Sequence, residues 1–297
     1  MKRMQAFVLM GLLVGLGIPW PTPGFTADLL WPAIIGANRT VIIDKNESLL
    51  EIARREGFGY TNIVNSNRAL DPWIPQAGED VLLPGEAILP AGSRPGIVIN
   101  LAELRLYHIP GNPGKAVQLY PLGIGRAGRE TPPGHYRITV KREKPEWRVP
   151  EGLRKQDPNL PKIVPPGPTN PLGNFWLGLS APGYGIHGTN RPYGVGRRIS
   201  YGCLRMYPED IAELYARVSV GTPVTIVYQP IKAAWNETFL LLEVHADYLQ
   251  RFADPFQQAL TAVSSIGWSG DTDYARIQQV VAEQRGLPEI VGYRAGR

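Results

Sequence analysis

The sequence predicts a β-rich main domain, preceded by a small βααβ module and followed by a small α/β extension. Three observations predict it. Pro (29) and Gly (33) are abundant and spread through the middle of the chain, which favours many turns over a helical bundle. Between Ile97 and Lys141, runs of strand length alternate in polarity and are separated by turn residues. Helical periodicity is confined to short stretches near either end and to one segment at about Pro208 to Val218.

Residues 1–27 read as a secretory signal: Lys2 and Arg3, an apolar run from Ala6 to Ile18, then Pro19, Pro21 and Pro23. That run is short of the roughly 20 residues a membrane span needs. Ala27 suits the last signal position, but Phe25 is large for the position two before it, so a retained anchor is the alternative. No Cys lies nearby, which excludes a lipid-modified terminus.

Residues 39–90 form the first module. Thr40 to Ile43 is a β-branched run read as a strand. Asn46 can cap a helix whose apolar face is Leu49, Leu50, Ile52 and Ala53. Gly57 and Gly59 end it. A second short helix spans Thr61 to Asn67, Asp71 to Pro75 makes a rigid turn, and Val81 to Pro84 closes as a strand.

Residues 94–228 carry strands at Ile97–Leu101, Glu103–His108, Val117–Ile124, His135–Lys141, Phe175–Leu179 and Thr222–Tyr228. A Pro-rich loop from Arg142 to Asn174 reads as structureless, and its part through Lys162 to Pro171 is a candidate lid. The helix at Pro208 has acids early (Glu209, Asp210) and Arg217 late, as the helix dipole prefers. Residues 229–297 hold a strand at about Thr238 to Val244 and helices at about Asp254–Val263 and Asp273–Arg285.

The net charge of +5 suits an anionic envelope polymer as well as an ordinary solvated surface. No basic, aromatic-studded stripe marks a nucleic-acid binder. One Cys and scattered His lack metal-ligand spacing, and Gly123 to Gly128 lacks the Lys-Ser/Thr of a phosphate loop. Neither a metal nor an organic cofactor is implied. Trp73, Trp147 and Trp176 could line a glycan groove or fill a core. His108, His135 and His245 read as surface or structural residues.

Chemistry concentrates in "GYGIHGTNRPYGVGRRISYGCLRM", Gly183 to Met206. It holds the only Cys, Cys203, and one of four His, His187. A lone Cys forms no intramolecular bridge, and an ordinary thiol with a pKa of ~8.5 needs a base to attack at neutral pH. An imidazole within reach takes that proton and returns it to a leaving amine. Gly202 lets the backbone turn sharply before Cys203 and leaves room for N–H groups to face an oxyanion. The segment has no acid, so the Gly188 carbonyl is the candidate for orienting the ring.

His187-Gly188-Thr189-Asn190 followed by Ser200-Tyr201-Gly202-Cys203-Leu204-Arg205-Met206 resembles the signature of the L,D-transpeptidases with a YkuD-type domain. "INLAELRLYHIPG", "TPPGHYRITVKREKPEW", "IVPPGPTNPLG" and "VGTPVTIVYQP" resemble the same domain in Gram-negative members, and residues 39–90 loosely resemble the LysM glycan-binding module. The resemblance implies a mainly β, sandwich-like catalytic domain acting in the periplasm on peptidoglycan stem peptides and glycan strands. Cys203 would be the nucleophile, His187 the base and Gly188 its orienting carbonyl. Tyr184, Ser200, Tyr201, Gly202 and Arg205 would contact substrate or shape the site. Many members have His where this chain has Tyr201.

Cys203 would attack the bond before the terminal D-Ala of a tetrapeptide stem and pass the acyl group to an amine. That amine is either a diaminopimelate side chain, giving a 3→3 cross-link, or a Lys of an outer-membrane lipoprotein. Hydrolysis of the same bond is a rival reading. A non-catalytic peptidoglycan-binding protein is another.

Overall fold

The computed structural model describes residues 31–294; the expected signal at 1–27 lies outside them. Its centre is an eight-stranded sheet. From one edge to the other the strands are Leu204–Arg205, Gly185–His187, Phe175–Leu179, Gly134–Glu143, Pro223–Val227, Gly96–Asn100, Arg105–Ile109 and Gln118–Pro121. Two pairs are parallel, Gly185–His187 with Leu204–Arg205 and Pro223–Val227 with Gly96–Asn100. The other neighbours are antiparallel.

The sheet curls until its edges meet. Just past the last strand, Gly123 exchanges two backbone hydrogen bonds of 2.8 Å with Arg205 on the first. One core therefore collects Leu106 and Tyr120 from one edge with Ile186 and Leu204 from the other. Ile211 and Leu214 of the helix Pro208–Arg217 close that core, both fully buried. Burying a Leu or Ile side chain is worth ~1.5–3 kcal/mol, so this cluster fixes the strands that carry the site.

In the first module, strands Arg39–Ile42 and Asp80–Leu83 pair antiparallel and flank helices Leu49–Glu56 and Tyr60–Ser66. The cap of the first helix is Ser48 rather than the expected Asn46. Ser48 and Glu51 form a reciprocal capping box, while Asn46 takes a left-handed turn conformation (φ 64°). Asp71 Oδ1 accepts from the N–H groups of Trp73 and Ile74 at 2.8 and 3.0 Å. That turn holds both side chains out in solvent, 57% and 81% exposed.

The loop 142–174 is not structureless. It contains a short hairpin of Trp147–Arg148 with Ile163–Val164 and the helix Glu151–Gln156. The helix has neither a side-chain cap nor a buried residue, so it carries no periodic signal. Buried Asn170 ties the loop's end down by donating to the carbonyls of Pro145 and Val164 at 2.8 and 3.3 Å.

The C-terminal extension is a four-stranded sheet, Ile231–Trp235, Phe239–Val244, Pro288–Tyr293 and Asp271–Thr272, carrying helices Pro255–Ser265 and Tyr274–Glu283. Three of its strands had no clear sequence signal. Between this sheet and the central one lie buried Glu103, Arg105, Lys232, Glu243 and His245. Lys232 Nζ sits 2.8 Å from Glu103 and 3.0 Å from Glu243, and Arg105 lies 3.2 Å from Glu243. Glu103, Glu243 and His245 converge as metal ligands could, but the Lys232 ammonium already supplies the cation between the two carboxylates. Among the described residues, no helix is long and apolar enough to cross a membrane.

Candidate active site

The parallel pairing of Gly185–His187 with Leu204–Arg205 builds the site. Its register places His187 opposite Arg205 and Ile186 opposite Leu204. Cross-strand partners point to the same face, and side chains two apart along a strand do so as well. Cys203 directly precedes this strand, two residues before Arg205, so the same alternation carried one residue back puts it on the face that carries His187.

His187 is buried, only 4% exposed. Its Nδ1 lies 2.6 Å from the Gly188 carbonyl. A carbonyl only accepts, so Nδ1 carries the proton and Nε2 keeps its lone pair. Trp176, paired with His187 across the neighbouring strand, stacks on the ring with centroids 5.8 Å apart and planes at 21°. Burial first, then the positive charge of Arg205, push the imidazolium pKa down to about 4 against the Gly188 bond. At neutral pH the ring is an uncharged base.

Cys203 is partly exposed and its thiol donates to the Gly183 carbonyl at 3.6 Å. Burial raises the thiol pKa, with the Gly185 backbone and Arg205 pulling the other way. The resting pair is a neutral thiol beside a neutral imidazole.

The turn before Cys203 is held from three sides. Ser200 Oγ donates to the Cys203 carbonyl at 2.6 Å and accepts from the Gly202 N–H at 3.1 Å. Ser200 is buried with its hydroxyl engaged in this turn, so it shapes the backbone that presents Cys203. Thr131 Oγ1 donates to the Gly202 carbonyl at 2.8 Å; nothing local in the sequence marks this contact, 71 residues away. Gly202 has φ 108°, and a Cβ there would stand 2.9 Å from the Tyr184 ring. Gly202→Ala is therefore expected to cost ~1–3 kcal/mol at this turn and to lower the rate of Cys203 alkylation by iodoacetamide. An unchanged rate would contradict the constraint.

Tyr184 thus lies over the turn, whereas Tyr201 points outward, 45% exposed, with the Arg126 guanidinium 4.4 Å from its ring centre. Arg205 is half-buried with no carboxylate among the charges that act on it, and its Nε is buried without a hydrogen bond. Arg191 lies near enough to depress its pKa further, after burial. Arg205, whose charge acts on the thiol, thus has a second guanidinium near it, and the sequence marked only Arg205.

Across its length the chain is 34% identical to the probable L,D-transpeptidase YcfS of Escherichia coli K12, covering 97% of this chain and 94% of that one. The chain belongs to the L,D-transpeptidase family. The family's YkuD-type catalytic domain matches residues 94–226, which hold the curled sheet and the Cys203 turn. The probable L,D-transpeptidase ErfK/SrfK of Salmonella typhimurium is 35% identical, with 98% of this chain and 96% of that one covered. The probable L,D-transpeptidase YbiS of E. coli K12 is 32% identical over 91% of this chain and 90% of its own.

Proposed function

We propose that this L,D-transpeptidase works through a Cys203 thioester, with His187 as general base and acid. Membership of the family makes the chain an enzyme of peptidoglycan peptide cross-linking. The observation that carries the cysteine mechanism is the shared sheet face of the thiol and a neutral imidazole whose Nε2 is left free by the Gly188 bond.

As substrate binds, Cys203 leaves Gly183 and gives its proton to His187 Nε2. Catalytic hydrogen bonds commonly form only in the loaded site. The sulfur adds to the carbonyl before the terminal D-Ala, and the imidazolium returns the proton to the departing D-Ala amine. The thioester then passes to an amine acceptor, which His187 deprotonates in turn. Gly202 spends its N–H on Ser200, so the tetrahedral oxyanion falls to the N–H of Cys203. Arg205 and Arg191 meet the carboxylate of the donor D-Ala, and Tyr184 walls the pocket.

The acceptor is an amine of a neighbouring stem or of an outer-membrane lipoprotein Lys, in the periplasm after export by residues 1–27. Residues 39–90 serve as a LysM-like glycan-binding module, for which the outward Trp73 and Ile74 offer an apolar platform. Residues 94–228 form the catalytic domain and 229–297 the extension. Product analysis with and without an added amine separates transfer from hydrolysis. Dimeric muropeptide supports transfer, and free tripeptide alone in both samples contradicts it.

The pH profile follows from the site. His187 accepts a proton only when neutral, so kcat/KM is expected to fall with decreasing pH through about 4, and not near the ordinary His value of ~6.5. An acid limb near 6.5 would contradict the burial argument.

A further inference from the structure

A second cleft, of about 430 Å³, opens where the first module, the central sheet and the C-terminal extension meet. Its walls are the helix Tyr60–Ser66, the turn 102–104, the stretch 197–199 and the segment 245–248. Thr61 donates its backbone N–H to the Gly196 carbonyl at 3.2 Å across this junction. The cleft is therefore walled by segments that pack on one another.

Two guanidiniums line it. Arg197 lies over the Tyr60 ring at 5.2 Å and Arg198 over the Tyr248 ring at 3.7 Å. Neither forms a salt bridge among the described residues, and Arg198 Nε is buried without a hydrogen-bond partner. The described acids around them form no salt bridge with either guanidinium, although Glu130 lies near enough that, after its backbone hydrogen bonds, Arg198 helps lower its carboxyl pKa. Glu103 is bonded to Lys232 and Tyr107, Asp247 accepts from the Tyr228 hydroxyl at 2.8 Å, and Glu130 accepts from the Gly128 N–H at 2.7 Å. Stacking on the tyrosines fixes each fork in place. A fixed fork with an unpartnered Nε and no salt bridge matches a carboxylate.

The cleft and the candidate site share one stretch of chain. Arg198 begins the strand Arg198–Ser200, which leads directly into Cys203, so at most about 17 Å of chain separates them. Arg205 and Arg191 already serve the donor carboxylate, which leaves this pair for a different molecule.

We propose that Arg197 and Arg198 bind a carboxylate of a second stem peptide, the one that supplies the acceptor amine. The assignment rests on the transpeptidase reading above. It requires an acceptor that carries a free carboxylate near its amine, as a stem peptide does.

The test uses the full exported chain with Cys203 capped by iodoacetamide, which fills the reacting centre, and calorimetric titration with a disaccharide-tripeptide. The capped protein is expected to bind it. Arg198→Gln should raise Kd about tenfold, as should amidating the peptide's carboxylates. The two changes together should do no more than either alone. Arg198→Lys, which keeps the charge, should retain most of the affinity. The proposal is overturned by no binding to the capped protein, by an unchanged Kd in Arg198→Gln, or by equal losses for the Gln and Lys variants together with a lowered Tm. Failure of the transpeptidase reading shows separately, as absence of acylation at uncapped Cys203.

Discussion

Cys203→Ala is expected to abolish acyl transfer, and His187→Gln to slow it by about 10²–10⁴-fold. The two losses differ in kind. In the His187 variant the nucleophile survives but has no acceptor for its proton. Its thiol pKa, raised by burial, then governs reactivity. Alkylation of His187→Gln by iodoacetamide should accordingly be slow at neutral pH and climb steeply in alkali, while Cys203→Ala does not react at any pH. Equal alkylation of wild type and His187→Gln at pH 7 would remove His187 from the base role. Trp176 and the Gly188 carbonyl hold the ring, so Gln at this position is not expected to disturb the strand pairing.

Glu243→Ala is expected to cost about 3–5 kcal/mol of stability, read as a lower urea midpoint. Glu243 is fully buried, with Lys232 at 3.0 Å, His245 at 2.7 Å and Arg105 at 3.2 Å. It also accepts from the Ile88 N–H at 2.6 Å. Removing it leaves Lys232 and Arg105 facing Glu103 alone, one buried cation in excess. Burial opposes its ionisation, but Lys232 and its other partners outweigh that and hold the carboxyl down to about 2. Its contribution is therefore full above the ordinary value of 4.5 and is lost as pH falls toward 2. Combining Glu243→Ala with Lys232→Met should recover part of the loss, because the double variant restores charge balance. An additive double variant would mean that the network acts through packing alone.

The network explains why the fold was only partly legible. Strands such as Gly96–Asn100 and Arg105–Ile109 announce themselves because their signal, a β-branched run in one and alternating polarity in the other, is local. The order of strands does not, because parallel neighbours and the Gly123–Arg205 closure join residues far apart in sequence. Ile231–Trp235 reads "IKAAW", with Lys and Ala where a strand signal needs β-branched residues. Its Lys232 is charged yet only 4% exposed, a burial that makes sense only once Glu103 and Glu243 are seen beside it. Pro288–Tyr293 opens on Pro and contains Gly292, both adverse in a strand.

The proposed reacting pair was legible for the opposite reason. His187, Gly188, Gly202 and Cys203 lie within one short segment, and their chemistry is stated by residue type. The motif left Ser200 either shaping the site or meeting substrate, and only the structure shows its hydroxyl bonded within the Cys203 turn. Thr131 and Arg191 left no trace in the sequence, because their part depends on where the chain returns.

The most direct test of the cysteine mechanism is mass spectrometry of the protein after incubation with a disaccharide-tetrapeptide. The account predicts an adduct on Cys203 equal to the tetrapeptide ligand less D-Ala, absent in Cys203→Ala. A folded protein that cleaves D-Ala without any adduct on Cys203, or that forms the adduct elsewhere, would contradict it.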